Sequence, residues 1–334
     1  MSAEAKSRTW TAVRIVASIA MLAALVPRAT HLLGPVWHPS TVLWILAAVA
    51  VTLVGVVLAT LRWQRVLAAL DVDAGMPPLL SHYLAGLFVS NFLPTTIGGD
   101  VLRVTRLSAA NVETPRSFAS VVLERLTGWI VLPVISLVAL ALNPGLLRPP
   151  LAHVGRLVVL ISLATLTLLG FVLLGASSQR LGARLGERAG WRRFVAAVHL
   201  GLTRFRQRPG AAVEVLVAGF AYQLAVVLAA FLAARALGLS TVGWTAILAF
   251  MPAVAIVQVL PFPTIGGLGV REGAFVLFLH PLGVSTDQAI ALGLLVYGIN
   301  VLASVFGAPA FAVGGRRSNT PGGPAGPAAG ATIG

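Results

Sequence analysis

Two short stretches of this chain set the same residues at the same spacing. Thr96-Ile97-Gly98-Gly99 is followed by Arg103, and Thr264-Ile265-Gly266-Gly267 by Arg271. The second copy begins 168 positions after the first, half the length of the 334-residue chain. Proline stands just before each copy, Pro94 in the first and Pro261 and Pro263 in the second. Proline removes a backbone donor and ends a helix, and paired glycines permit positive φ and a tight turn. A helix restarting after such a turn has a positively polarised N-terminus, with the arginine about one turn into it. Together they suit an anion such as a lipid phosphate. Asp100 and Glu272 each neighbour one of these arginines, either to balance its charge or to carry a coupling proton. Asn91, just ahead of the first turn, can cap or line it. The plainer alternative is two loops at a membrane edge whose arginines reach for water; recurrence with the arginine in register favours a site.

Glu124 and Arg125 form a further pair. Thr114-Pro115 resembles a helix start, with Thr114 at the N-cap and proline at the first position. That places Glu124 and Arg125 about 15 Å into the helix, near half-depth if the helix stands upright in a bilayer. An unpaired charge there is costly. Adjacent residues do not face each other on a helix, so the partners lie elsewhere, and Arg103, Arg271, Asp100 and Glu272 are the candidates. The other alternative is a later helix start that leaves the pair at the interface. Asp71-Val72-Asp73 has the D-x-D shape that can hold a metal–nucleotide-sugar, but no nucleotide-binding domain surrounds it. Arg62 and Arg65 nearby suggest a charge-mixed cytoplasmic turn instead. The chain has no cysteine, and its six histidines are scattered without an H-E-x-x-H arrangement. No P-loop, Rossmann or G-x-S-x-G pattern occurs in a suitable context. No metal, cofactor or catalytic residue is therefore expected. The expected substrate-binding set is Asn91, Pro94, Gly98, Gly99, Asp100, Arg103, Glu124, Arg125, Pro263, Gly266, Gly267, Arg271 and Glu272.

The elements that must position these residues are apolar. Hydrophobic residues make up 57% of the chain and charged ones 10%, where a soluble protein carries roughly 25%, and the mean hydropathy is +0.92. A soluble globular enzyme and a disordered chain are both excluded. A membrane helix needs about 20 apolar residues. Seven plain candidates span 10–33, 41–61, 118–142, 154–175, 211–237, 242–260 and 286–313. The stretches 79–97 and 262–283 are broken by Pro and Gly, and both repeat copies fall in them. Such matched, interrupted segments mark substrate sites in transporters. The expected fold is an all-α polytopic membrane protein of about seven full spans plus two re-entrant segments related by an internal repeat. Its half-repeats cover roughly 10–175 and 211–313. The basic segment 176–210 joins them as a cytoplasmic, partly amphipathic loop, and 314–334 is a disordered Gly/Pro/Ala tail. The net charge of +14 reads as the positive-inside signal rather than as nucleic-acid binding. Placing the arginine-rich loops in the cytoplasm gives N-in and C-in topology, with segment 262–283 either crossing or re-entering. Six of the tryptophans, Trp10, Trp37, Trp44, Trp63, Trp129 and Trp244, lie mostly near span ends, as an interfacial belt would.

The motifs resemble those of the lysylphosphatidylglycerol synthetase transmembrane region, the flippase-like domain family. Asn91-Phe92-Leu93-Pro94 with Gly98-Gly99-Asp100 and Arg103 is similar to its first signature. Glu124-Arg125 with Gly128 is similar to its acidic-Arg-x-x-Gly element, and Gly266-Gly267-Leu268-Gly269-Val270-Arg271-Glu272-Gly273 to its last. The resemblance runs from about residue 10 to 313. Tyr297-Gly298 stands where relatives would be expected to carry an arginine. The resemblance implies an all-helical membrane domain that moves an aminoacylated phospholipid between leaflets in fused members, which carry a separate aminoacyl-transferase domain. No such domain is expected here, since the chain stops at Gly334. The leading expectation is a flippase-like transporter of the cytoplasmic membrane for an anionic phospholipid or polyprenyl-linked lipid. The alternatives are a membrane transferase on a lipid-linked sugar or phosphate, with Asp100, Glu124 or Glu272 as base, and a non-catalytic subunit beside a synthetase or glycosyltransferase.

Overall fold

The computed structural model describes residues 39–92, 98–177, 191–258 and 269–316, all helix and short turns. The expected span 10–33 and the residues Pro94, Pro263, Gly266 and Gly267 lie outside the described residues. Helix α1 is Pro39–Ala69, α2 Met76–Phe92, α3 Gly98–Ala109 and α4 Thr114–Leu142. Then follow α5 Ala152–Ser177, α6 Trp191–Gln207, α7 Pro209–Ala236, α8 Trp244–Gln258, α9 Val270–Leu279, α10 Thr286–Val305 and α11 Ala308–Arg316. Five of these, α1, α4, α5, α7 and α10, are long and apolar enough to cross a bilayer. Leu43, Leu46, Val54 and Val57 of α1, and Leu160, Leu163, Phe171 and Leu174 of α5, point outward. An apolar exterior of that kind suits lipid.

Several expectations change. Within segment 242–260 the described residues form a helix of 15 residues, Trp244–Gln258, about 22 Å long against the roughly 30 Å hydrocarbon core. Its apolar character has another cause: nine consecutive residues, Ala246 to Val254, are buried. A helix apolar on all sides is a buried one, in a protein core or in a membrane. Segment 286–313 is two helices, because the chain turns at Phe306-Gly307. Gly307 sits against the Leu84 carbonyl of α2, where a Cβ would clash, and Pro309 opens the next helix. That helix runs to Arg316, into the stretch expected to be tail. The N-cap of α4 is Glu113 rather than Thr114, with Pro115 at the second position, still within the first turn that tolerates proline. Helix α1 continues eight residues past the expected end at 61.

Helix α1 packs along α7, and the two run antiparallel. Gly55 faces Ala225 and Tyr222, Arg62 packs over Gly219, Arg65 pairs with Glu214, and Arg208 reaches Ala68. Helix α4 packs on α8 and α7, and α10 on α2 and α1. The amphipathic α6 seats Ala197 and Val198 against α4 and α5, with Gly201 fitting under Leu123. One apolar cluster lies among α4, α7, α8, α9 and α10. A second surrounds Trp63, Leu67, Leu79, Leu107 and Leu123. The polar site lies beside this second cluster.

Candidate functional site

Helix α3 crosses close to α2. Gly98 and Gly99 are the first residues of that helix, not part of the turn the sequence suggested. What Gly99 provides is proximity: a Cβ there would clash with the Gly86 carbonyl and Ser90 Oγ. Among the described glycines of the two motifs, the expected positive φ occurs at Gly269, at +82°. This close crossing brings Asp100 and Arg103 against α4. Arg103 Nη1 donates to Glu124 Oε2 at 3.2 Å and lies 3.5 Å from Asp100 Oδ1. Arg125 Nε donates to Asp100 Oδ2 at 2.8 Å. Two of the four expected partners for Glu124 and Arg125 are thus in place. The other two, Arg271 and Glu272, pair with each other, at 2.6 Å from Nη2 to Oε1. They are neighbours in sequence. Their contact is possible because Glu272 folds back over the start of α9, where its other oxygen accepts from the Gly269 amide.

The residue the sequence reading missed is Arg62. Expected in a cytoplasmic turn, it is 4% exposed and contacts Glu124 directly. Two glycines make room for it. A Cβ at Gly128 would lie 2.9 Å from Arg62 Nη1, and one at Gly219 3.5 Å from its Cδ. The glycine of the Glu124-Arg125-x-x-Gly128 element is therefore the residue that lets α1 bring its arginine to the carboxylate. The signal was present: Arg62, Trp63, Val66, Leu67 and Leu70 follow helical spacing past the end of the apolar run, with Arg65 on the other side.

Aromatic faces complete the enclosure. The Arg103 guanidinium lies 4.1 Å from the Trp63 ring centroid and 4.5 Å from that of Tyr83. Arg62 lies 5.1 Å from Tyr222, within cation–π range. Trp63 is fully buried and donates from Nε1 to Ser120 Oγ at 3.0 Å. It does not belong to an interfacial belt. Three arginines (62, 103, 125) and two acids (Asp100, Glu124) give this group one excess positive charge. Arg62 Nε and Nη1, and Arg103 Nε and Nη2, are buried donors with no hydrogen-bond partner. Buried donors are rarely left so, and the ring faces satisfy them only in part.

The second group is electrically neutral: Arg271 with Glu272, both buried. Gly293 of α10 makes room for Glu272, whose Cγ would be 3.0 Å from a Cβ there. Tyr297 takes the place where an arginine was expected, and its ring centroid lies 4.9 Å from the Arg271 guanidinium. Its hydroxyl donates to the Asn91 carbonyl at 3.5 Å. Tyr297 thus touches an element of each group. The D-x-D turn is a charge staple: Asp71 meets Arg204 and Arg208, each at 2.8 Å. Among the described residues, no His, Cys, Asp or Glu cluster could hold a metal ion.

Membrane-long helices, a buried acid–arginine group against Gly128, and a glycine corner preceding Arg271-Glu272 now stand together. The profile of the lysylphosphatidylglycerol synthase transmembrane region matches residues 11–307. The chain belongs to that family. No curated protein matches it. Like other flippase-like members of the lysylphosphatidylglycerol synthase transmembrane family, it is an all-helical, multi-pass membrane protein.

Proposed function

We propose that the protein moves an anionic phospholipid or lipid-linked intermediate between the leaflets of the cell membrane. One observation carries this: the Arg62–Glu124–Arg103 group is enclosed among apolar helices, holds one excess positive charge with Asp100 and Arg125, and leaves buried guanidinium donors without partners. A phosphodiester monoanion supplies both the missing charge and the missing acceptors, and arginine forks fit phosphate oxygens. The carboxylates serve as charge balance in this reading. Glu124 is gripped by two arginines and Glu272 by one plus a backbone amide, so both carboxylates are already engaged as counterions rather than open to a transferase substrate.

The helix order supports an inverted internal repeat. Helices α1 to α4 have 31, 17, 12 and 29 residues, and α7 to α10 have 28, 15, 10 and 20. Packing pairs match as well: α4 on α8 corresponds to α10 on α2, with α1 and α7 antiparallel across the pseudo-axis. In this arrangement α2–α3 re-enters from the cytoplasmic side and α8–α9 from the opposite side, with both termini cytoplasmic, as the arginine-rich loops require. The positive first group and the neutral second group then face opposite leaflets. The domain comprises 1–313, with 176–210 joining the halves. Pro94, Pro263, Gly266 and Gly267 belong to the same site in this reading.

The test is mass spectrometry of lipid held by the purified protein. The wild type should retain an anionic phospholipid or polyprenyl phosphate at near-stoichiometric level, and Arg103→Gln should lose most of it. Equal retention of zwitterionic lipid by both proteins would remove the basis for the proposal.

A further inference from the structure

A groove of about 690 Å³ opens between α3, α4, α5 and α6, within the size range of small-molecule sites. Its walls are apolar, with Val104, Phe118, Val122, Leu126, Trp129 and Leu169 among them. Val101 and Leu168 at its mouth are 54% and 60% exposed, so it opens sideways through apolar residues, as access from lipid requires. Charge enters at two levels along α4. Arg193 of α6 lies 4.5 Å from the ring centroid of Phe118. Arg125, paired with Asp100, follows seven residues further along the same helix, about 10 Å deeper. Beyond Asp100 lies Arg103, and with it the buried group. The two arginines and one aspartate on the groove leave one positive charge uncompensated.

We infer that this groove is a binding site for a monoanionic glycerophospholipid, its acyl chain along α4 and α5 and its phosphate passing from Arg193 to Arg125 toward the buried group. The inference rests on the proposed transport reading for its direction and uses only this groove for its chemistry. A headgroup carrying its own ammonium brings no net charge to the site and finds Asp100 already engaged by Arg125. The amphipathic α6 carries Arg193, Arg204 and Arg206, and basic side chains at a headgroup surface attract anionic lipid. Arg193 thus joins the membrane surface to the protein interior.

Trp129 lines the groove and reports on it. The experiment uses full-length protein in nanodiscs containing phosphatidylglycerol or phosphatidylcholine with brominated acyl chains, and takes the quenching lost in Trp129→Phe as the groove signal. Expected is saturable quenching by the anionic lipid and a clear preference over the zwitterionic one. Arg193→Gln should cut that preference about fivefold, from the roughly 1 kcal/mol that one basic side chain contributes at a membrane surface. Val101→Phe, at an exposed position, should narrow the mouth and lower quenching by both lipids without disturbing the fold. Equal quenching by both lipids, unaffected by either substitution, means annular contact only and overturns the inference. Lipid movement in liposomes, measured on the same proteins, separates this site from the transport reading. Charge-selective, Arg193-dependent quenching without lipid movement supports the groove and sinks transport. Movement with indifferent quenching does the reverse.

Discussion

Glu124→Gln removes one charge and leaves the shape of the side chain unchanged. In the native protein this carboxylate is 2% exposed and is shared by Arg62 and Arg103, whose side chains are each 5% exposed. The substitution raises the local excess from one positive charge to two and leaves both guanidiniums without their shared counterion. Breaking a buried ion pair from one side costs about 3–5 kcal/mol. Asp100→Asn gives the contrast: its main partner Arg125 is 51% exposed, and an ion pair with a water-accessible member contributes about 1 kcal/mol or less. The sharper test removes the whole group. Arg62→Met, Arg103→Met and Glu124→Leu together replace three buried charges by apolar side chains of similar length, a change that is commonly neutral or stabilising. Reversible chemical unfolding in detergent micelles, followed by tryptophan fluorescence, measures all three proteins. Glu124→Gln should lose about 3–5 kcal/mol, and the triple variant should recover most of it while binding no anionic lipid. A loss below about 1 kcal/mol for Glu124→Gln, or a triple variant as unstable as the single, would refute the idea that these three residues form one charge-coupled unit.

Further outcomes follow from the same geometry. Gly128→Val drives a side chain into Arg62 Nη1 and should destabilise the protein by about 1–3 kcal/mol, as overpacking does; the same unfolding titration checks it, and Gly170→Val, where nothing lies within 4 Å, is the control. Tyr297→Arg gives the neutral group an excess cation and should raise retention of anionic lipid, whereas Tyr297→Phe keeps the ring and loses only a 3.5 Å hydrogen bond, with a stability change of about 1 kcal/mol or less. Asp71→Asn should leave lipid binding unchanged, and so should chelation of divalent cations, because the D-x-D turn is engaged with Arg204 and Arg208; metal-dependent binding would contradict that assignment.

Hydrophobic runs made the membrane helices legible in the sequence. Arg103 and Asp100 were legible as two of four candidate partners for Glu124 and Arg125, because a charge about 15 Å into an apolar helix requires a partner; which acid meets which arginine was not. Apolar runs do not separate lipid contact from protein packing: the described part of α8 is apolar and enclosed by its neighbours. The reach of α1 could be read from the helical spacing past Arg62, which ends the apolar run without ending the helix. What brings Arg62 to Glu124 is a tertiary coincidence of two glycines, Gly128 on α4 and Gly219 on α7, and no local pattern encodes it. The contacts of Arg193 with Phe118 and of Tyr297 with Asn91 become visible only when α6 meets α4 and α10 meets α2.

The central claim is that two buried polar groups, one positive and one neutral, serve a single route for an anionic lipid across the bilayer. Its most direct test is the rate at which fluorescent anionic phospholipids change leaflets in liposomes carrying the wild type, Arg103→Gln, Arg271→Gln and the double variant. The account predicts movement by the wild type, a loss of at least tenfold in each single variant, and no greater loss in the double. Wild-type liposomes that move no lipid faster than protein-free ones, or arginine variants that match the wild type, would contradict it.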